Sequence, residues 1–434
     1  MVNKKILYLC DLNLANGGAQ RVTIETLPGL SKVFDIFLYM PHNPSSESLK
    51  IINNLAIQNI IDLNLKRENI EELVLKERIE LILIQWENPK WIILCHEIWK
   101  ETEVNYAILM YELPFINTPT TKILVNWKVQ ANIKMFSDLF KNFINRSKPQ
   151  TIINKEVHLV NPQPLNEYRK VNPFSLKRIR NFAKNFYKVK KTREGLVYAK
   201  KIIAMGGASK FYIDKYFGFK NIIEVKHCAS SDIQSVEGMI SLELKYDICF
   251  MAARLESGKG IFDLLDVVYD IKKLLQREIN VAIMGRFIDT VTKEKFNKKL
   301  KKLKLQSNVI LLGFVSESQK VSTLCSSKIF LYPSKKDSFS ISLANALFCG
   351  LPSVTYDLPF IQQFNEISIY KTKYKDIEGM SKKIVSLLKM SELEPLKFQK
   401  LRDTIRHSFN ANFNWSKSCE EQIGAIKIVL EEIT

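Results

Sequence analysis

A chain of 434 residues exceeds one ordinary domain and predicts two. Its 46% hydrophobic and 25% charged residues exclude a disordered or fibrous chain and fit full globular cores. The 64 Lys and Arg against 45 Asp and Glu leave a net charge of +19, which calls for an anionic partner: nucleic acid, a membrane surface or a polyanionic small substrate.

In chain order, Lys5 to Cys10 comes first. Its apolar run resembles a signal peptide for five residues only before Asp11 and Asn13 interrupt it, so it reads as a buried strand and predicts a cytoplasmic protein. Asn16-Gly17-Gly18-Ala19-Gln20 then opens a helix. Gly17 and Gly18 permit a sharp turn and close backbone approach to a ligand, and the helix N-terminus offers N–H groups to an anion. Phe34–Met40, Glu80–Ile84, Asn105–Tyr111 and Lys200–Met205 read as further strands, interrupted by a segment rich in Lys, Asn and Phe between Pro114 and Lys200. No run approaches the roughly 18–20 apolar residues of a spanning helix.

The second half alternates more clearly. Strands are predicted at Asp247–Ala252, Asn280–Gly285, Asn308–Gly313, Lys328–Ser334 and Pro352–Tyr356. Helices are predicted at Ile261–Leu275, Thr292–Leu305, Ser316–Cys325 and Ser340–Cys349. Short strands alternating with helices of this length predict an α/β protein with parallel sheets wound on both faces. The predicted units are residues 1–238, 239–412 and a C-terminal helical segment, 413–434, that returns to the first unit. The boundary between the first two falls in the polar stretch Ser230–Leu244.

Ligands of such sheets bind beyond the carboxyl ends of the strands. Two strand-end loops in the second half are distinctive. Ala253-Arg254-Leu255-Glu256-Ser257-Gly258-Lys259-Gly260-Ile261 sets two cations around a glycine-rich turn, so that both can meet one pyrophosphate. Tyr332-Pro333-Ser334-Lys335-Lys336-Asp337-Ser338-Phe339-Ser340-Ile341 runs into a helix whose N-terminus favours negative charge, with Asn345 in its second turn. Gly350 and Pro352 follow the predicted end of that helix. Seven cysteines, at positions 10, 95, 228, 249, 325, 349 and 419, form no C-x-x-C pair, which predicts reduced thiols and no bound metal.

These segments resemble the family 4 glycosyltransferases and their retaining GT-B relatives. That family shows an R-x4-K-G turn, then P-S-x-x-E-x-F-G-x-x-x-x-E-A-x-x-x-G-x-P-V; Gly17-Gly18-Ala19 and Asn308 to Ser334 match other parts of its pattern. The resemblance implies GT-B architecture, with two Rossmann-like domains facing across a cleft. The first domain binds the acceptor and the second the nucleotide sugar. The implied reaction transfers a hexosyl group to a hydroxyl with retention, without metal or cofactor beyond the donor substrate. Arg254 and Lys259 are then expected on the donor diphosphate, with backbone N–H groups of Phe339, Ser340 and Ile341. Asp337 stands at the family's first glutamate and is expected on donor-sugar hydroxyls, and Asn345 at the second, on the ribose. Ser340 replaces the family's glycine. Tyr111-Glu112 replaces its His-Asp or His-Glu pair, leaving Glu112 as the acceptor-side candidate. The Asp337 and Asn345 departures also raise a second reading, a non-catalytic nucleotide-sugar-binding partner of an active transferase.

From Asn166 to Lys201 twelve Lys or Arg stand against two acids, Glu167 and Glu194. On a helical wheel Phe174, Ile179, Phe182, Phe186 and Val189 oppose Lys177, Arg180, Lys184 and Lys188. Such a helix either lies on an anionic membrane, with Ile133–Ile144 as a second apolar face, or packs its apolar side inward and leaves the lysines solvated. Membrane contact implies a lipid-linked or cell-surface glycan acceptor and a peripheral place on the cytoplasmic face. Nucleic acid is not expected: aromatics among the basic residues permit base stacking, yet no nucleic-acid motif is present.

Overall fold

A computed structural model describes residues 3–12, 18–40, 43–55, 57–61, 67–85, 89–111, 187, 190–216, 218–219, 221–226, 228, 243–335, 337–364 and 369–433. Its first half runs β1 (Lys5–Leu9), α1 (Gly18–Leu30), β2 (Asp35–Met40), α2 (Ser46–Asn53), β3 (Gln58–Ile61), α3 (Arg67–Glu77), β4 (Leu81–Gln85), α4 (Pro89–Thr102) and β5 (Tyr106–Met110). It continues with β6 (Lys201–Met205), α5 (Gly207–Tyr216) and β7 (Ile222–Val225). The seven strands form one parallel sheet in the order β3-β2-β1-β4-β5-β6-β7.

The second half contains β8 (Tyr246–Leu255), α6 (Ile261–Leu275), β9 (Val281–Phe287), α7 (Thr290–Lys302), β10 (Val309–Gly313), α8 (Glu317–Cys325) and β11 (Ser327–Tyr332). Then come α9 (Ile341–Phe348), β12 (Ser353–Tyr356), a 3-10 segment (Pro359–Phe364), β13 (Ile369–Thr372) and three closing helices, α10 (Ile377–Leu393), α11 (Pro395–Asn412) and α12 (Trp415–Glu431). The parallel order is β10-β9-β8-β11-β12-β13.

Burial follows from the apolar spacing. On α6, Ile261, Leu264, Leu265, Val268 and Ile271 recur at three- and four-residue steps and are buried against the sheet. Each such side chain contributes about 1.5–3 kcal/mol relative to exposure. The central strands β4, β5 and β6 are almost continuously apolar, as expected of parallel strands covered on both faces.

β3, β7 and β13 were not among the predicted strands; all three are four-residue strands at sheet edges. β8 extends to Leu255 rather than ending at Ala252, because its pairing with β9 slips between Met251 and Arg254 and then resumes. Gly285 makes the slip possible: its φ is +130°, and a β-carbon there would lie 1.9 Å from the Ala252 carbonyl oxygen.

α12 lies on the first sheet's side. A β-carbon on Gly29 of α1 would be 2.3 Å from Cys419 Sγ. The Ser418 hydroxyl donates to the Lys226 carbonyl at 2.7 Å, and the Lys226 N–H to Glu421 at 2.7 Å. Cys228 Sγ also donates to the Phe413 carbonyl at 3.2 Å. Among the described residues no helix is long and apolar enough to cross a membrane. The segments Ile133–Ile144 and, for the most part, Asn166–Lys201 and Ser230–Leu244 lie outside the described residues.

Candidate active site

The site is built on the carboxyl ends of β8, β9 and β11. β8 carries Arg254 to its exposed end, in register with Arg286 on β9 and also exposed. Like charges on neighbouring strands repel, so the pair suits a position facing an anion. Arg286 lies over the Phe314 ring at 5.9 Å, and Phe314 is 80% exposed just beyond β10. Neither residue was singled out in the sequence. An arginine directly after the predicted strand Asn280–Gly285 was the available signal.

Beyond β8 the chain makes one 3-10 turn, Ser257–Lys259, and Gly260 caps α6 with φ +80°. A β-carbon on Gly260 would stand 1.9 Å from the Pro333 carbonyl oxygen, so only glycine fits this crossing. The Lys335 N–H donates to the Gly258 carbonyl at 2.9 Å and fastens the turn to the loop after β11.

This fastening sets Lys259 Nζ 2.8 Å from Asp337 Oδ2, with side-chain exposures of 21% and 14%. The Tyr332 hydroxyl donates to the same carboxylate oxygen at 2.5 Å, and the Ser338 N–H donates to Asp337 Oδ1 at 3.1 Å. Burial, then the Asp337 charge, pushes the Tyr332 phenol well up, so it remains a proton donor. Lys335 turns away to Asp263 at 2.9 Å, whose other oxygen accepts from the Tyr356 hydroxyl at 2.7 Å.

Ser340 is the N-cap of α9, which starts one residue later than predicted. Its hydroxyl accepts from the Leu343 N–H at 3.3 Å, and its backbone is left-handed, φ +69°. Phe339 buries its ring beside Phe364 and Phe413, with centroids 5.4 and 6.2 Å away. Ile341 opens the helix, and Asn345 is buried in its second turn, 2% exposed. The predicted residues Lys259, Asp337, Phe339, Ser340 and Ile341 are thus gathered at one helix start. Arg254 stands at the end of the adjoining strand, and Asn345 lies further along the helix.

Gly18 is the first residue of α1 on the other sheet; Gly17 and Glu112 lie outside the described residues. The first half also holds a buried polar network that the sequence did not reveal. Thr23 accepts from Gln85 Nε2 at 2.9 Å and lies 3.2 and 3.3 Å from the hydroxyls of Tyr8 and Tyr111, while Gln85 Oε1 accepts from the Asp11 N–H at 2.6 Å. Among the described residues no group of three His, Cys, Asp or Glu could hold a metal ion.

Two parallel sheets with flanking helices, one in each half of the chain, define the GT-B architecture. Solved structures share this fold. A glycosyltransferase from Rickettsia africae ESF-5 is 14% identical with a TM-score of 0.67, covering 99% of each chain. Anabaena Alr3699/HepE in complex with UDP and glucose is 10% identical with a TM-score of 0.64, covering 98% of this chain and 99% of that one. Sucrose-phosphate synthase from Thermosynechococcus elongatus is 12% identical with a TM-score of 0.64, covering 99% and 100%. No curated protein matches the sequence. Residues 239–400 match the family described as Glycosyl transferases group 1, and the second half accordingly contains a group 1 glycosyltransferase domain.

Proposed function

We propose that the protein is a retaining, family 4-like glycosyltransferase that moves a hexosyl group from a nucleoside diphosphate sugar to a hydroxyl. The observation that carries this reading is the Lys259–Asp337 pair, 2.8 Å apart, at the approach to the α9 N-terminus. In this reading Lys259 and Arg254 neutralise the donor diphosphate together with the N–H groups of Phe339, Ser340 and Ile341. Charge grows on the leaving phosphate as the bond from the anomeric carbon breaks, and cations held against it lower that barrier without a metal. Lys259 moves from Asp337 to phosphate, and Asp337 then accepts from sugar hydroxyls. Asn345 hydrogen-bonds the ribose as a neutral partner. Gly17 and Gly18 bring the backbone of the first unit close to the substrates, with Glu112 on the acceptor side.

The acceptor is a lipid-linked or cell-surface glycan, reached by peripheral contact with an anionic membrane at the cytoplasmic face. The net charge of +19 supports this, as do the exposed lysines of α7: Lys293, Lys295, Lys298, Lys301 and Lys302.

A thermal-shift panel of UDP-, GDP- and ADP-sugars tests the donor reading, because a ligand of the native state raises its stability. At least one donor is expected to raise Tm in the wild type and not in Lys259→Ala. No shift with any donor overturns the reading. The buried, uncharged Asn345 favours one alternative, a binding-only partner subunit; it predicts a donor-induced shift with neither transfer nor donor hydrolysis.

A further inference from the structure

Gln363, in the 3-10 segment after β12, bonds to both halves of the molecule. Its side-chain amide nitrogen donates to the carbonyls of Phe360 at 2.8 Å, Phe339 at 3.1 Å and Ser338 at 3.4 Å. Its side-chain oxygen accepts from the Gly207 N–H at 3.3 Å, at the first residue of α5 in the other half. The approach is close on that side as well. Gly206 has φ +100°, and a β-carbon there would meet the Ser338 carbonyl at 3.2 Å, Phe339 Cβ at 3.3 Å and Gln363 Oε1 at 3.4 Å.

We propose that Gln363 is a positioning residue that couples engagement of the first half to the shape of the Ser338–Phe339 loop, and so to anion binding at the start of α9. The effect on anion binding rests on the donor reading above; the coupling itself does not. The chemistry requires an amide. Three carbonyls need a donor, while the Gly207 N–H needs an acceptor, and one planar group supplies both. Glutamate keeps the acceptor for Gly207 but sets a carboxylate against three carbonyl oxygens. Methionine, of similar length, serves neither side. When α5 withdraws, the amide loses one of its anchors and is free to rotate. The loop carbonyls then lose their fixed donor, and the N–H groups that follow them lose their aim. The donor site is therefore complete only when the two halves are engaged, which limits exposure of a bound donor to water.

Two variants separate the two sides of this bridge. Amide hydrogen exchange on the intact, ligand-free chain is read at Gly207 and at Ser338–Ile341, alongside calorimetric titration with UDP, GDP and ADP. Gln363→Met is expected to speed exchange at both places and weaken the diphosphate that binds by about tenfold. Gln363→Glu is expected to speed exchange at Ser338–Ile341 while Gly207 stays protected, with a similar loss of affinity. Because Gln363→Met adds no charge, simple repulsion of the diphosphate cannot explain its loss. A lower Tm with affinity and loop exchange unchanged in Gln363→Met means a merely structural side chain and overturns the proposal. If the wild type binds none of the three diphosphates, the donor reading fails by itself. Exchange then decides the coupling alone: joint deprotection of Gly207 and Ser338–Ile341 in Gln363→Met upholds it, and unchanged exchange overturns it.

Discussion

Gly260 and Pro333 cross so closely that the α-carbon of one leaves no room for a β-carbon beside the carbonyl oxygen of the other, the would-be separation being 1.9 Å. This crossing joins the turn bearing Lys259 to the loop bearing Asp337. Gly260→Ala adds both a left-handed backbone penalty and a backbone clash, and is expected to cost about 3 kcal/mol. Urea unfolding of the variant measures it; a change within about 0.5 kcal/mol, the range of ordinary surface substitutions, contradicts the crossing as described.

Lys259→Met removes the cation and leaves Asp337 with the Tyr332 hydroxyl and the Ser338 N–H as donors. Donor turnover is expected to fall by about 100-fold or more, the scale of losing one preorganised charge at a reacting phosphate. Stability should change by only about 1 kcal/mol, since the pair is partly solvated. Parallel assays of kcat/KM and of urea midpoint check this. Equal losses in folding and turnover would instead mean that Lys259 is structural.

Ser340 holds a left-handed backbone, φ +69°, where the resembling family has glycine. Ser340→Gly relieves roughly 1 kcal/mol of strain and loses a few tenths through the cap. The net expectation is a gain of about 0.5 kcal/mol, read as a higher Tm. A lower Tm would show that the hydroxyl contacts to Leu343 and Tyr332 outweigh the strain.

Asp247 gives a pH signature at the far end of the second sheet. Burial acts to raise its carboxyl, but Arg277 at 3.0 Å, Lys328 at 2.9 Å and the Asn280 N–H together hold it below its ordinary range. A carboxylate depressed in the folded state contributes stability that is present above its unfolded pKa, about 4, and lost as pH falls through the folded value. Asp247→Asn is therefore expected to lose about 2 kcal/mol at neutral pH and to show a flatter stability profile below about pH 4. Parallel profiles for variant and wild type over that range would contradict the assignment.

The sequence revealed most of what is continuous and apolar. β1, β4, β5 and β6 stood out because parallel strands covered on both faces are almost wholly hydrophobic. β3, β7 and β13 did not: Gln58–Ile61 has a polar half, and Ile222–Val225 and Ile369–Thr372 are paired on one side only, so little apolar sequence is required of them. In the candidate site, Lys259, Asp337 and Ser340 were legible because strand-end glycines and a following helix mark anion-binding turns. Arg286 and Gln363 were not, since their positions depend on register and on contact between the two halves. For Arg286 the one local signal is its place directly after the strand Asn280–Gly285; nothing local marks Gln363.

Whether Lys259 holds a nucleoside diphosphate is decided by calorimetric titration of UDP, GDP and ADP into the wild type and Lys259→Met at low and high salt. At least one diphosphate is expected to bind the wild type, more weakly as salt rises, and the variant is expected to lose about tenfold or more in affinity together with part of the salt dependence. A variant that binds every diphosphate as tightly as the wild type would contradict this role of Lys259.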